Sequence, residues 1–203
     1  MTHRQLPCLY DKSGTHQSTV PIKYKPGAFA TWMPKLHGYY MDHLDGLLQH
    51  DCKLQQNFHN SIWSSMTFNF GPRTCCKQHM DFNNLPFGIC SIYGAGTYNL
   101  TEGGHLVLWE AGLVTEFPPG STILIPSTIL KHSNISIPKG STRYSVSQYT
   151  AGGLFWWVDH GFQSEGSYWG SLTDEECAKE TQWMEGRATI GMGLFSTKDE
   201  LLA

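Results

Sequence analysis

Two different hydrophobic periods divide this chain of 203 residues into a helical beginning and a strand-rich middle. Between residues 34 and 50, Tyr40, Leu44 and Leu47 recur at the spacing of one helix face. This pattern predicts an amphipathic helix that packs against the outside of a sheet. Residues 1–30 are polar and interrupted by proline and glycine, which predicts an irregular arm or a first edge strand.

From about residue 61 the pattern changes to short runs rich in β-branched and aromatic residues, separated by glycine, proline and asparagine. Seven such runs predict seven strands, at 62–70, 88–96, 105–110, 113–117, 121–126, 129–135 and 141–150. Short strands at this spacing are typical of a barrel or a sandwich.

The sequence predicts the beginning of a helix near the C terminus. Thr173 is followed three residues later by Glu176, which is the signature of a capping box, and it predicts a short helix over residues 173–187. The chain is therefore predicted to be a mainly β protein with a core barrel at 61–160, a few flanking helices, and one domain over 1–203.

Composition fits a folded, turn-rich protein, because 40% of the residues are hydrophobic, 13% are aromatic and 21 are glycine. A formal net charge of −3 provides no general attraction to phosphate backbones. The beginning has no apolar signal region and no run is long enough to span a bilayer, so we expect an intracellular protein, in the nucleus or cytoplasm, without membrane contact. The six cysteines lack metal-site spacing and are predicted to be free thiols.

The candidate chemistry starts at an H-x-D unit formed by His79 and Asp81, which follows a strand-like run. On extended backbone, residues two apart face the same way. His132 comes 53 positions later (132 − 79), and Arg143 another 11 (143 − 132). Two imidazoles and one carboxylate on one face of an iron leave the opposite face open, as in non-haem Fe(II) oxygenases.

A second H-x-D unit, His43 and Asp45, serves as an internal control because it falls in the predicted helix 34–50. Residues two apart on a helix point about 200° away from each other, so these two side chains are not expected to share a metal. We interpret this unit as part of a surface helix.

Arg143 is a candidate for binding a co-substrate next to the metal. Its planar guanidinium forms two-point contacts with carboxylates, so it is able to hold the far carboxylate of a dicarboxylate co-substrate. Ser145 lies two residues further on and points the same way if this segment is a strand.

These residues and their surroundings resemble the iron- and 2-oxoglutarate-dependent dioxygenases. Residues 117–149 are similar to the second half of the double-stranded β-helix of these enzymes, in which a Pro-Gly turn launches a strand and a hairpin delivers the distal histidine. A glycine-led turn then returns the strand that bears arginine. The corresponding parts are Pro119-Gly120, His132, Gly140 and Arg143.

The resemblance covers roughly residues 61–160 and implies a jelly-roll, cupin-like barrel that uses Fe(II), 2-oxoglutarate and dioxygen. It implies that the metal ligands, which also form the catalytic set, are His79, Asp81 and His132. It also implies that Arg143 and Ser145 bind the co-substrate.

Within the superfamily, the segments QHMDFNNLPFG, EGGHLVLWEAGLVTEFPPGS and QYTAGGLFWWVDHGF look most like the TET/JBP-like branch, including copies from basidiomycete fungi. That branch oxidises methylated nucleobases, which implies a modified nucleic acid or nucleoside as partner. Prolyl-hydroxylase-like enzymes usually carry lysine where Arg143 stands, and AlkB-like enzymes carry an R-x-N-x-T-x-R pattern that this chain lacks. JmjC-like demethylases, small-molecule or protein side-chain hydroxylases and a non-catalytic binding module stay open as alternatives.

Five further residues are candidates for substrate contact: Asn83, Asn84, Trp109, Trp157 and His160. The asparagines suit a hydrogen bond to a base edge or to 2-oxoglutarate, and an ordinary turn fits them equally well. The tryptophans suit stacking on an extruded base, although aromatic residues in strand proteins more often belong to the core. His160 fits a position behind the iron ligands, the substrate mouth, or a hydrogen-bonded turn. With a net charge of −3, single-strand or nucleoside binding is easier to reconcile than tight duplex binding.

Overall fold

The computed structural model describes residues 26–58 and 60–202. Within these ranges the chain forms six α-helices, one short 3-10 helix (Leu100–Glu102) and seven strands: α1 (Pro26–Trp32), α2 (Pro34–His50), β1 (Ser65–Asn69), β2 (Cys90–Thr97), β3 (Leu106–Leu108), β4 (Leu113–Thr115), β5 (Thr122–Ile125), β6 (His132–Asn134), β7 (Thr142–Tyr149), α3 (Gly152–Asp159), α4 (Glu165–Ser171), α5 (Asp174–Gly193) and α6 (Lys198–Leu202). None of the helices described is long and apolar enough to cross a membrane.

The strands form two antiparallel sheets, one with the order β1-β7-β2-β5 and the other with the order β4-β3-β6. Every predicted run overlaps one of these strands, so the strand-rich middle is confirmed. Mainly antiparallel sheets with a few helices are compatible with a sandwich of the cupin type.

Two turns that the sequence marks with glycine reverse the chain on either side of β5 and β6. Gly120 and Gly140 have φ angles of +87° and +88°, a left-handed conformation that glycine adopts without steric cost. Ser121 N donates to the Pro118 carbonyl at 3.1 Å, and Ser141 N donates to the Pro138 carbonyl at 3.3 Å. The second turn feeds β7 back into the centre of the first sheet.

Helices cover the outer face of the first sheet, as the amphipathic pattern predicts. Ile123 and Ile125 of β5 pack in a core between the two sheets with residues of β2 and β3, whereas Leu124 packs on a second cluster. That cluster unites α1, α2 and α3 with the segments before β1 and β2, through Phe29, Leu36, Tyr40, Ile62, Trp63, Leu85, Ile89 and Phe155. Alternate strand residues thus serve the two cores.

The predicted N-terminal arm differs from the structure. Residues 1–25 lie outside the described residues, and residues 26–30 belong to α1 instead of an irregular segment. Phe29 is buried and stacks on Trp63 with 5.6 Å between the ring centroids. Burial of this ring against a distant residue stabilises a short helix that its own sequence does not indicate.

At the C-terminal end, both hydrogen bonds of the Thr173–Glu176 capping box are present, and α5 continues to Gly193, past the predicted end at residue 187. Helix α3 was not predicted, because its first residues, Gly152 and Gly153, are weak helix formers.

The control unit lies on α2, as predicted, but His43 is buried and the interpretation as surface is wrong for this residue. Its Nε2 lies 2.7 Å from Asp159 Oδ1, and its Nδ1 lies 2.7 Å from the Tyr39 carbonyl oxygen. Asp45 is exposed and takes no part in these contacts. The two residues therefore do not form a metal site.

The His43–Asp159 pair predicts a pH-dependent contribution to stability. Burial alone would lower the pKa of His43, but the bonds to Asp159 and Tyr39 raise this pKa above its ordinary value overall. The stabilisation is therefore complete below the unfolded pKa of about 6.5 and is lost as the pH rises through the folded pKa.

We expect His43→Gln to lower the free energy of unfolding by about 1–3 kcal/mol near pH 6 and by less near pH 8.5. Denaturant titrations at both pH values measure the difference. His50→Gln, on the exposed end of the same helix, is the control. An equal loss for His43→Gln at both pH values would rule out a charged pair.

Candidate metal centre

The segment that carries His79 and Asp81 pairs with β6 and the loop before it. His79 N donates to the His132 carbonyl at 3.1 Å, and His132 N donates to the His79 carbonyl at 3.0 Å. Asp81 N donates to the Ser127 carbonyl at 2.9 Å. Three backbone hydrogen bonds thus fix the two parts of the candidate site, which are about 50 residues apart in sequence, against each other.

The structure brings together the three residues that the spacing singled out. One potential ligand atom from each of His79, Asp81 and His132 lies within 4.8 Å of the other two. His79 Nε2 and Asp81 Oδ1 are 3.8 Å apart, and the two imidazole centroids are 4.3 Å apart. This grouping is the only one of its kind in the part of the chain that the structure describes.

Both histidines present the same ring nitrogen to the centre. His79 Nδ1 lies 2.7 Å from the Lys77 carbonyl oxygen, and His132 Nδ1 lies 3.0 Å from the Leu130 carbonyl oxygen. Because a carbonyl only accepts, each Nδ1 carries a proton and donates it. In the neutral rings Nε2 then keeps its lone pair, which is the state that a metal ligand requires.

Burial distinguishes the two histidines. The side chain of His79 is 42% exposed, whereas His132 is buried. Burial lowers the pKa of His132, and the nearby His79 lowers it further, while the Leu130 carbonyl opposes these effects. A lowered pKa favours the neutral, metal-binding form. The centre is therefore anchored on the protein side by His132 and open to solvent beside His79.

Two imidazoles and one carboxylate fit a catalytic metal, but they do not select one. The same donor types hold iron in facial-triad oxygenases and zinc in several hydrolases. The neighbouring charges must therefore decide which chemistry the centre supports.

Arg143 is such a neighbour, and it is a buried cation without an anionic partner. It is 2% exposed, and no carboxylate of the described residues lies within 4.0 Å of its guanidinium. Nη1 donates to the Thr74 carbonyl at 3.2 Å, and the Phe117 ring lies 5.9 Å away. Nε has no hydrogen-bond partner among the described residues. An uncompensated buried charge is costly, so this position fits a bound anion.

Cys76 binds Asn134, two residues after the candidate ligand His132, through its backbone N–H and carbonyl. Burial raises the pKa of its thiol, the charge of Arg143 lowers it, and the charge of Asp81 raises it. One thiol thus experiences both the arginine and a candidate ligand. Sequence reasoning treated Cys76 only as a free thiol, although its position three residues before His79 was a signal.

Ser145 occupies the predicted place on β7. Arg143 and Ser145 alternate with an exposed residue and are both buried, so they share the inner face of the strand. Ser145 Oγ accepts a hydrogen bond from Asn69 Nδ2 at 3.0 Å.

Trp109 and Phe82 have exposed rings on the segments that carry the candidate ligands or pair with them. Trp109 directly follows Leu108, the strand partner of His132, and is 49% exposed while its Nε1 donates to Ser133 Oγ at 3.1 Å. Phe82 follows Asp81 and is 73% exposed. Phe82 was not among the predicted substrate residues, because an aromatic residue after a strand-like segment usually indicates core.

The two asparagines form a turn. Asn84 N donates to the Asp81 carbonyl at 3.0 Å, and Asn84 Nδ2 donates to Ser127 Oγ at 3.3 Å. The Asn83 carbonyl accepts from Gly152 N at 2.8 Å, which leaves the exposed Asn83 side chain outside this contact. Asn84 thus helps to hold the loop that carries Asp81.

The structure places the last two candidates, Trp157 and His160, in the helical layer. His160 Nδ1 lies 2.7 Å from the Trp156 carbonyl oxygen, and its Nε2 lies 2.9 Å from Glu180 Oε1. His160 is thus a buried, hydrogen-bonded residue directly after α3, and its contacts do not include the candidate ligands. Trp157 is half-buried on α3.

Comparisons with known proteins leave the family open. No protein-family profile and no curated protein matches the chain. A solved structure described as NgTET1 in complex with 5mC DNA is similar, with a TM-score of 0.41 and 19% identity over 65% of this chain and 54% of that chain. This chain thus spans about half the length of that protein, and a likeness this distant carries no argument about activity.

Proposed function

We propose that this protein is an Fe(II)- and 2-oxoglutarate-dependent dioxygenase. The observation that carries the proposal is the buried Arg143, which has no carboxylate partner among the described residues and shares the Thr74 carbonyl with Asn134, two residues after the candidate ligand His132. A zinc hydrolase has no general need for a buried cation at this place, whereas a dicarboxylate co-substrate would satisfy it. Three protein ligands would leave the remaining positions of a bound iron free for that co-substrate and for dioxygen.

The strand order supports the finer proposal of a double-stranded β-helix. The segment with His79 bridges to β6, so it extends the order β4-β3-β6 by a fourth member. Two four-membered antiparallel sheets are what a jelly roll of eight strands requires. In this proposal residues 1–203 belong to one dioxygenase domain.

The residues of the chain have distinct roles in the proposed reaction. His79, Asp81 and His132 would hold the iron through Nε2 and carboxylate atoms. Arg143 would neutralise and orient the far carboxylate of 2-oxoglutarate, with Ser145 on the same strand face as a second polar contact. Bound iron, with 2-oxoglutarate and dioxygen, would supply the oxidation, and the protein would supply positioning and exclusion of water.

A methylated nucleobase, in DNA, in RNA or as a nucleoside, is the substrate class that we propose. Support comes from the TET/JBP-like sequence segments and from the exposed rings of Trp109 and Phe82. A flat base has two faces on which such rings stack. The net charge of −3 favours single strands or nucleosides over duplexes.

The proposal is tested by incubating the Fe(II)-loaded protein with 2-oxoglutarate and a panel of methylated nucleosides and single-stranded oligonucleotides. We expect one member of the panel to be hydroxylated with formation of about one succinate per product. Oxidation of a small molecule or a protein side chain instead would keep the enzyme class and replace the substrate.

Trp109→Ala tests the stacking role. We expect the KM for the base substrate to rise about 5- to 150-fold, because stacking on one base contributes about 1–3 kcal/mol. The affinity for 2-oxoglutarate should stay the same, and Trp109→Phe should restore most of the loss. Trp183→Ala, which removes a partly exposed tryptophan of α5, is the matched control. An unchanged KM for Trp109→Ala would exclude Trp109 from the substrate site.

A further inference from the structure

Asn134 lies at the junction between the candidate metal centre and Arg143. It is buried on β6, two residues after His132. Its side-chain Oδ1 accepts a hydrogen bond from Cys76 N at 2.7 Å, and its backbone N donates to the Cys76 carbonyl at 3.3 Å. One asparagine therefore binds both sides of the Cys76 backbone.

The side-chain nitrogen of Asn134 binds the Thr74 carbonyl, which also accepts a hydrogen bond from Arg143. Asn134 Nδ2 donates to the Thr74 carbonyl at 3.3 Å, and Arg143 Nη1 donates to the same carbonyl at 3.2 Å. The backbone of Thr74 also donates to the Arg143 carbonyl at 3.1 Å. Asn134 thus holds the 74–76 segment, and that segment holds the guanidinium.

We propose that Asn134 is a positioning residue that sets the Arg143 guanidinium, through the 74–76 segment, at the distance from the metal ligands that 2-oxoglutarate requires. This inference rests on the proposed function. Asn134 itself would touch neither the metal nor the co-substrate, because both ends of its amide bind backbone groups.

The geometry predicts that Asn134 acts on co-substrate binding more than on metal binding. The two reciprocal hydrogen bonds between His79 and His132, and the bond from Asp81 N to Ser127, do not involve Asn134. Loss of its side chain releases the 74–76 segment and removes a neighbour of the Thr74 carbonyl. The guanidinium then loses its fixed position while the three ligands keep theirs.

Two variants distinguish the contribution of the Asn134 side-chain oxygen from that of its nitrogen. Asn134→Ala removes both contacts, so the Cys76 thiol should become more accessible and the affinity for 2-oxoglutarate should fall roughly tenfold. Asn134→Asp keeps an acceptor for Cys76 N but replaces the donor to Thr74 with a charge able to attract Arg143. It should lower the 2-oxoglutarate affinity at least as much while leaving Cys76 near its wild-type accessibility.

The experiment measures three quantities on Fe(II)-loaded protein without oxygen: 2-oxoglutarate affinity by calorimetry, iron content, and the iodoacetamide labelling rate of Cys76 by mass spectrometry in a Cys75→Ser background. Asn57→Ala is the matched control, because Asn57 Nδ2 binds a backbone carbonyl outside the site, that of Ser64. Far-UV circular dichroism verifies that each variant is folded.

Weaker 2-oxoglutarate binding by both Asn134 variants at unchanged iron content, with faster Cys76 labelling in Asn134→Ala alone, would support the inference. Wild-type affinity in both variants would overturn it and leave the proposed function standing. Equal loss of iron and co-substrate would also overturn it, since it would show general disruption of the centre. Absence of 2-oxoglutarate binding to the wild-type protein would overturn the proposed function and this inference together.

Discussion

Arg143→Ala is expected to weaken 2-oxoglutarate binding by roughly 30- to several-thousand-fold while iron binding barely changes. The guanidinium is buried, has no carboxylate partner among the described residues, and keeps one nitrogen without a hydrogen bond. Removal of one partner from a charge-assisted pair in such surroundings costs about 2–5 kcal/mol. The metal ligands are held by hydrogen bonds that do not include Arg143.

The charge and the shape of Arg143 are tested separately. Arg143→Lys should recover little of the affinity, because a single ammonium does not reproduce the two-point contact of a guanidinium. The matched control is Arg73→Ala, which removes an exposed arginine from the segment that pairs with Arg143. Calorimetry with 2-oxoglutarate and iron analysis are carried out on the same samples. Wild-type co-substrate affinity in Arg143→Ala would remove the main reason for proposing 2-oxoglutarate.

Alanine at His79, Asp81 or His132 is expected to abolish iron-dependent succinate formation, since in the proposed centre each residue would supply one of only three protein ligands. The fold should persist, because the two hydrophobic cores are built from other residues. For His79, whose side chain is 42% exposed, the change in unfolding free energy should stay within about 0.5 kcal/mol. Iron content, succinate yield and thermal unfolding of the purified variants measure these effects.

The second H-x-D unit provides the matched control for the ligand variants. Asp45→Ala removes an exposed aspartate with the same local sequence pattern, and it should retain wild-type iron content and turnover. Wild-type turnover in any of the three ligand variants would reject the proposed centre. Equal losses of iron content and turnover in Asp45→Ala and Asp81→Ala would also reject the proposed centre.

The grouping of His79, Asp81 and His132 was predictable because its geometry follows from local rules. Extended backbone places His79 and Asp81 on one side, and helical backbone separates His43 from Asp45. The presence of His132 at a fitting separation along the sequence was a second requirement, which a chance H-x-D unit does not meet. The strand positions were equally predictable, because the glycines that separate the strands in the sequence do stand at chain reversals. Gly120 and Gly140, for example, have left-handed φ angles there.

The features that the sequence did not predict depend on contacts between residues far apart in sequence. Burial of His43 arises from Asp159, which is 116 positions away, and no helical period encodes such a partner. The sequence left His160 open between a site residue and a hydrogen-bonded turn residue, and its bond to Glu180 of α5, which favours the second, depends on a partner 20 positions away. Cys76 and Asn134 gain their importance only because β6 lies beside the 74–76 segment.

An anaerobic titration of 2-oxoglutarate into the wild-type protein, with and without Fe(II), shows directly whether the co-substrate binds at a metal. We expect about one equivalent to bind to the iron-loaded protein, and binding to be much weaker when the metal is removed. Iron-loaded protein that fails to bind 2-oxoglutarate would contradict the proposed function.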